Sequence, residues 1–430
     1  MAGPGEVGAR VSCAKLARVT GTGARPLDGV RVVEVGQALA GPWAGAVLGY
    51  FGAEVIKVEP PGGDPLRNWR LLDDDGTSVW WRSVARNKKC VTIDLRKDAG
   101  RALVRRLVGK ADALVENFRP GTMEKWGLGP DDLGRDHPRL VYARVSGFGQ
   151  TGPYASRAGY ASVAEAMGGL RHLTGMPGEP PVRSNLSLGD TLAGLHAAFG
   201  VVLALYHRDR AREPGAGKVA RAPSGEGQVV DVALTESVLS MLEGVIPEYD
   251  RFGVARAPSG PTVTGIVPSN TYRARDGRFV VIGANGDSIY VRLMHAIGRD
   301  DLAQDPTLAT NAGRVAQAAR VDDAIQAWVA LRDVRDVVET LEAVSVPAGP
   351  IYDAADIARD PHYQARGLFE RVDVGGRPLS VPAIAPRLVD TPGRTDTAGP
   401  ELGAHNEEVL LGLLGLDRAE LDGLVRDGVV

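Results

Sequence analysis

The chain has 430 residues, 44% hydrophobic and 24% charged, with 50 Lys and Arg against 53 Asp and Glu for a formal charge of −3. That length favours two domains and the composition is ordinary soluble globular usage, while a near-neutral charge without long single-sign blocks excludes the electrostatic footprint of a nucleic-acid binder. Two cysteines, Cys13 and Cys90, are too few and too far apart for a disulfide framework or a metal pair, which points to a reducing, cytoplasmic setting.

Met1 to Pro26 mixes Gly, Pro, Ala and Arg without an apolar core, so it is expected to be a mobile tail rather than a secretory signal. No run of about 18 uninterrupted apolar residues marks a membrane span anywhere in the chain. From Gly29 the pattern becomes regular. Val30 to Val35 is a β-branched run, Ala40 to Phe51 a small apolar helix with Pro42 near its start, and Glu54 to Glu59 a second extended run. Strand, helix, strand in that order closes right-handed onto a parallel sheet. The pattern repeats with a strand over Cys90–Leu95, Asp98 as N-cap of a helix through Leu107, and strands over Ala113–Asn117 and Leu140–Ser146. A helix from about Thr191 to Tyr206 completes this α/β block.

Asp209 to Gln228 is a Gly, Pro and basic segment without periodicity, read as a linker loop. Beyond it, Val229–Val245 and Thr271–Ile282 suggest a strand, a helix and a hairpin around Asp276-Gly277, followed by mainly helical sequence from Ile289 to Val344. Pro382 and Pro386 lie in extended sequence, and Glu407 to Val425 is a short helix-rich end.

Several local motifs carry candidate chemistry, each with a plainer reading beside it. The turn Gly36-Gln-Ala-Leu-Ala-Gly41-Pro42 sits where a dinucleotide fold puts its phosphate loop, but it lacks a third glycine and equally suits a tight turn feeding a packed helix. Four cations in Arg82-Ser-Val-Ala-Arg-Asn-Lys-Lys89, and more in Arg119-Pro-Gly-Thr-Met-Glu-Lys125, stand near strand ends, where they suit either an anion or a solvated rim. In Leu188-Gly-Asp190-Thr, an acid follows a glycine at the start of an apolar helix. It is either an N-cap or a nucleophilic carboxylate with small neighbours that admit a thioester carbonyl, and the roles compete. No two histidines stand at metal-ligand spacing, and no Gly-x-Ser-x-Gly elbow occurs, so neither a metal site nor a serine hydrolase is expected.

Taken in order, Leu27-Asp-Gly-Val-Arg-Val-Val-Glu-Val35, Ala40-Gly-Pro42, Leu48-Gly-Tyr-Phe-Gly-Ala-Glu-Val-Ile-Lys-Val-Glu59, Arg86-Asn-Lys-Lys89, Val115-Glu-Asn-Phe-Arg-Pro-Gly121, Gly147-Phe-Gly-Gln-Thr-Gly-Pro153, Gly159-Tyr160 and Leu188-Gly-Asp190 resemble the class III CoA-transferases, from about Leu27 to the C-terminus. That family includes formyl-CoA transferase and carnitine CoA-transferase. Gln150-Thr-Gly-Pro153, Arg157-Ala-Gly-Tyr160 and Gly265-Ile-Val-Pro268 resemble most the succinyl-CoA:glutarate-type dicarboxylate members.

The resemblance implies an α/β fold with a large Rossmann-like CoA-binding domain, a smaller α+β domain, and an interlocked ring-shaped homodimer. Applied to this chain it gives a tail, 1–26; the large domain, 27–208; a linker loop, 209–228; the small domain, 229–346; and a return linker with the C-terminal part of the large domain, 347–430. It assigns Asp190 as the acyl-carrying nucleophile and Gln37, Ala38, Asn117, Phe118 and Lys125 as CoA contacts. Tyr160 and Arg157 fall to the substrate pocket, with Arg183 the other nearby cation in sequence. The implied substrates are an acyl-CoA, expected to be succinyl-CoA, and a carboxylic acid, expected to be a dicarboxylate; no tightly bound cofactor, membrane or nucleic-acid partner is implied.

Some positions depart from the family pattern. Pro60 stands where many members carry an arginine near the CoA adenine, Pro258-Ser-Gly-Pro261 alone represents the glycine-rich loop of formyl-CoA transferase, and the Asp209–Gln228 loop is longer than usual. A related branch, the 2-methylacyl-CoA racemases, uses a histidine where this chain has Tyr160; a phenol, ordinarily titrating at about 10, is a poor base for α-proton exchange near neutrality. Racemase is therefore the second reading and a non-catalytic CoA-binding protein the third.

Overall fold

The computed structural model describes residues 23–210 and 225–430; Cys13 and most of the expected tail and linker loop lie outside these. The described chain forms two compact units. One holds the residues up to Gly168, Leu186–Met241 and Gly367–Val430, and the other holds Gly169–Asn185 and Leu242–Arg366.

The first unit is built on six parallel strands: β1 (Arg31–Glu34), β2 (Glu54–Glu59), β3 (Lys88–Thr92), β4 (Ala113–Glu116), β5 (Val141–Ser146) and β6 (Val229–Ala233). Their order is β3-β2-β1-β4-β5-β6, so the chain reverses its direction of travel between β1 and β4. In such sheets the crevice outside the carboxyl ends of those two strands is where ligands bind. Helices α1 (Ala40–Tyr50), α2 (Val79–Val84), α3 (Asp98–Val108), α4 (Ala161–Met167), α5 (Leu188–Arg210) and α6 (Leu234–Leu239) surround the sheet. One apolar core packs α1 and α5 on the sheet through Ala44, Leu48, Ala193, Ala197 and Val201, and another packs α3 through Leu103, Val104 and Leu107. An antiparallel pair, β10 (Phe369–Val374) with β11 (Arg377–Pro382), belongs to the same unit.

The second unit has three antiparallel strands in the order β7-β8-β9, namely β7 (Ser269–Arg273), β8 (Phe279–Gly283) and β9 (Ala348–Pro350). Asp276-Gly277 lies in the connection between β7 and β8, as its turn chemistry requires. The core of this unit is Ile282, Tyr290, Leu293, Ile325, Val337 and their neighbours, so it is an α+β assembly with its own apolar interior.

Three local readings change on seeing the fold. Asp98 is the first helical residue of α3 rather than its cap, because its carboxylate pairs with Arg101 one turn on while Lys97 holds the cap position. The helix expected from Thr191 begins at Leu188, with Thr191 N–H already bonded to the Ser187 carbonyl at 3.1 Å, so Asp190 lies inside the first turn. Val229–Ala233, expected at the start of the small domain, pairs instead with β5 at the edge of the large sheet. α5 is long and apolar enough to cross a membrane, yet Ala193, Ala197, Val201 and Ala204 on it are buried in the unit's core.

The carboxyl ends of β1 and β2 enclose an ion cluster. Register sets Glu34 beside Lys57. The Lys57 ammonium lies 3.0 Å from Glu34 and 2.9 Å from Asp64, and donates to the Gly36 carbonyl at 2.8 Å. Lys88 pairs with the other Glu34 oxygen at 2.8 Å and donates to the Pro42 carbonyl at 2.6 Å. All four side chains are buried, and their formal charges cancel. Burial opposes each charge, but for Lys57 the surrounding carboxylates win and hold its ammonium above the ordinary lysine range. The Lys57 and Lys88 charges likewise keep Glu34 below the ordinary carboxylate range despite its burial. Breaking such a pair from one side leaves an uncompensated buried charge. Lys57→Met is accordingly expected to lower stability by about 3–5 kcal/mol. Urea unfolding would read this directly, and a midpoint equal to wild type would contradict the role given to the cluster.

Candidate active site

The turn after β1 is fixed from two sides. Asn117, at the end of β4, accepts the Gln37 N–H at 2.8 Å and donates its amide to the Gln37 carbonyl at 2.9 Å. Asp64 accepts the Ala38 N–H with both oxygens, at 3.1 and 3.2 Å. Ala38 has φ of 60°, a conformation that costs a residue with a Cβ and persists where surrounding contacts impose it. Gln37, Ala38 and Asn117 therefore meet at the switch point of the sheet, bound to one another through backbone and amide groups.

Beside this turn opens a cavity of about 490 Å³ lined by residues at the carboxyl ends of β1 to β4, including Gln37, Pro60, Leu95, Arg96, Phe118 and Trp126. Phe118 and Trp126 meet edge to face with ring centres 5.2 Å apart. Lys125 is exposed on the single helical turn Thr122–Lys125 that precedes Trp126. Arg96, which sequence reasoning passed over, extends an 81% exposed side chain and is gripped by Asp94 through two 2.8 Å bonds. Its signal lay in the sequence, a cation directly after a strand, but the denser run at Arg82–Lys89 drew the anion-site reading. That run proves structural: Arg82 pairs with Asp75 and Glu401, Arg86 bonds the Pro382 carbonyl, Lys88 joins the ion cluster and Lys89 bridges Glu54 and Glu408.

Asp190 is half-buried in the first turn of α5. One turn further on, Gly194 lets α5 come so close to α1 that a Cβ there would lie 2.5 Å from the carbonyl of Ala40, the first residue of α1. That contact packs α5 on the start of α1, the helix that directly follows the turn holding Gln37 and Ala38. Tyr160 is 77% exposed at the cap position of α4. Arg157 is exposed and lays its guanidinium on the Tyr154 ring at 3.7 Å. Arg183 is exposed and belongs to the second unit. A buried carboxylate missed from sequence, Glu165 of α4, accepts the Gly189 N–H at 3.3 Å; a single acid in Ala-Ser-Val-Ala-Glu-Ala-Met gave no pattern to single it out.

Similarity to known proteins covers nearly the whole described chain. Residues 27–406 match the family model described as CoA-transferase family III. The chain is 47% identical over 401 residues to succinyl-CoA–D-citramalate CoA-transferase of Chloroflexus aurantiacus, spanning 92% of this chain and 96% of that protein. It is 41% identical to the alpha subunit of succinyl-CoA–L-malate CoA-transferase of Chloroflexus aurantiacus, over 94% of this chain and 92% of that protein. Among solved structures, a CAIB/BAIF family protein from Brucella suis aligns with a TM-score of 0.78 at 34% identity, covering 93% of this chain and 100% of that one.

Glu116 directly precedes Asn117. Glu116 is buried at the end of β4, where it accepts the Phe118 N–H at 2.7 Å and an Arg144 N–H at 2.9 Å. Burial pushes its carboxyl up to about 7, and the Arg144 and Phe118 donors offset this only in part. A carboxyl whose folded value is raised binds more protons folded than unfolded between its unfolded value of 4.5 and about 7. Its contribution to stability is complete below that window and is lost as pH rises through it. Glu116→Gln is expected to match wild type at pH ~4.5 and to exceed it by on the order of 1–3 kcal/mol at pH ~8. Urea unfolding at both values checks this; a gap that does not change with pH would contradict it.

Proposed function

The chain belongs to CoA-transferase family III, and on that premise we propose that it moves CoA from succinyl-CoA to a short dicarboxylate or hydroxydicarboxylate through a mixed anhydride on Asp190. The observation that carries this reading is the position of Asp190, half-buried in the first turn of α5, whose next turn packs through Gly194 on the start of α1 just after the β1 turn. The named relatives, which take succinyl-CoA together with citramalate or malate, support the donor and the acceptor class.

The chemistry follows from the residue types. An Asp190 oxygen attacks the thioester carbonyl carbon, the C–S bond breaks, and CoA leaves as its thiolate with the anhydride left on the enzyme. The acceptor carboxylate attacks the bound acyl carbon and frees Asp190, forming an anhydride between the two acids. The thiolate then attacks the acceptor carbonyl of that anhydride, which gives the new thioester and releases the donor acid. No proton or external energy source is needed, because each step exchanges one acyl–heteroatom bond for another. Water must be kept from the anhydrides, so the nucleophile belongs in a partly closed pocket.

Gln37, Ala38, Asn117, Phe118 and Lys125 are the residues for CoA, with Arg96 added because it lines the same cavity as Pro60, the position where an arginine is expected. Arg96 presents an exposed guanidinium whose planar fork suits a phosphate. Tyr160 and Arg157 serve the acceptor pocket; either Arg157 or Arg183 pairs the far carboxylate, which cannot be buried unpaired. CoA thioesters act as substrates rather than as a resident cofactor, and we read the protein as a cytoplasmic enzyme without membrane or nucleic-acid partners.

We also infer the interlocked homodimer. A stripe of exposed apolar residues on α5, Leu195, Phe199, Leu203 and Tyr206, supports a partner surface there, since contiguous patches of this kind on soluble proteins mark interfaces. A solution mass of one 45.3 kDa chain would contradict it. The racemase reading is weaker because Tyr160 occupies the base position, and a purely binding role is weaker because the named relatives are enzymes.

Two linked outcomes test the function. Asp190→Asn is expected to lose transfer by more than about 10³-fold while CoA still binds, since only the nucleophile is removed. Wild type should prefer glutarate to butyrate as acceptor, and Arg157→Ala or Arg183→Ala should erase that preference. Comparable turnover of Asp190→Asn would remove the mechanism, and a butyrate preference would remove the substrate class.

A further inference from the structure

We propose that Glu165 is a positioning residue for the nucleophile: its buried carboxylate holds the Gly189 amide and so sets the direction in which Asp190 faces the thioester carbonyl. The inference rests on the reading of Asp190 as the acyl carrier and adds a residue that this reading does not contain.

The first amides of any helix have no intrahelical acceptor. Gly189 is the second residue of α5 and is buried, so its N–H needs a partner from elsewhere in the fold. Glu165 supplies that partner at 3.3 Å from a neighbouring helix, with 1% of its own surface exposed. Burying a carboxylate is costly, and the cost is met where the group makes a bond that an alanine at the same place could not. The grip is double. Ala161, one turn earlier on α4, lies against the same glycine, where a Cβ would come 3.0 Å from the Ala161 carbonyl and 3.1 Å from its Cα. Helix α4 therefore clasps the peptide immediately before Asp190 through one steric and one hydrogen-bonding contact.

The bond also bears on the competition between capping and catalysis. A carboxylate in a first helical turn is drawn to the exposed amides of that turn. With the Gly189 N–H occupied by Glu165, that amide is removed as a capping donor for Asp190. Attack then requires Asp190 to reach a carbonyl carbon held by the CoA contacts, and misplacement of a reacting group by about 1 Å can cost on the order of 10²-fold in rate.

The test is the single-turnover release of CoA thiol when full-length enzyme is mixed with succinyl-CoA without acceptor, read by a thiol reagent in rapid quench, together with the dissociation constant for CoA. Glu165→Ala should release thiol about 30- to 100-fold more slowly with CoA affinity within about twofold of wild type. Glu165→Gln keeps an acceptor oxygen at the same reach and should recover to within about fivefold of wild type, whereas Glu165→Asp, with a shorter arm, should stay slow. Wild-type release from Glu165→Ala overturns the proposal, as does parallel loss of release and CoA binding. If Glu165→Ala does not fold, the contrast between the Gln and Asp variants decides, and equal rates for those two overturn it. Asp190→Asn is the control that separates the two readings: thiol release from that variant at the wild-type rate removes the nucleophile itself, while silence there with normal release from Glu165→Ala removes only the role of Glu165.

Discussion

The site depends on one buried ammonium. Lys57 sits between Glu34 and Asp64 with no solvent access and also bonds the carbonyl of Gly36. It therefore joins two strands, the loop after β2 and the turn after β1 at a single point. Asp64, held on one side by Lys57, turns its oxygens to the Ala38 N–H and keeps that residue at positive φ. A buried ion pair is weak support for stability as such, because apolar replacements of similar volume often do as well. What it provides here is geometry: an apolar substitute would fill the space without fixing the Gly36–Ala38 backbone beside the cavity.

Three carboxylates of this unit occupy three environments. Asp64 is fully buried and bonded to an ammonium and to backbone amides, so it is committed to structure. Glu165 is buried beneath the start of α5 and accepts the Gly189 amide. Asp190 is only half-buried, in the first turn of a helix flanked by small residues. Of the three, Asp190 is the one that is not fully buried, which suits the acyl-carrying role proposed for it. Division of labour among acids by environment is a general way for a site to assign roles to chemically identical groups.

Much of the fold was legible because parallel strands buried on both faces read as β-branched runs, and Val30–Val35, Glu54–Glu59 and Ala113–Asn117 read that way. The charges inside those runs were not legible as a cluster. Glu34, Lys57 and Lys88 are far apart in sequence and meet through strand register, which no periodicity reveals. The same limit explains the cation run at Arg82–Lys89, whose partners Pro382 and Glu401 come from the distant C-terminal segment. β6 could not be assigned to the large sheet for a similar reason, since its membership rests on hydrogen bonds to β5. For the site, the ordered series of motifs identified the family where each motif alone was ambiguous, and Asn117 and Gln37 meet as neighbours of one switch point. Glu165 and Arg96 needed coordinates, since each is one ordinary charged residue whose meaning lies in what it touches.

The central claim is that the acyl group rests on Asp190 between donor and acceptor, and peptide mass spectrometry addresses it most directly. Enzyme mixed with succinyl-CoA in the absence of acceptor, then either quenched in acid or trapped with hydroxylamine at neutral pH and digested, should yield the Asp190 peptide carrying the succinyl or the hydroxamate mass increment respectively. The increment should disappear when acceptor is added before the quench. Rapid CoA transfer with no increment on any peptide, or with the increment on another residue, would contradict the account.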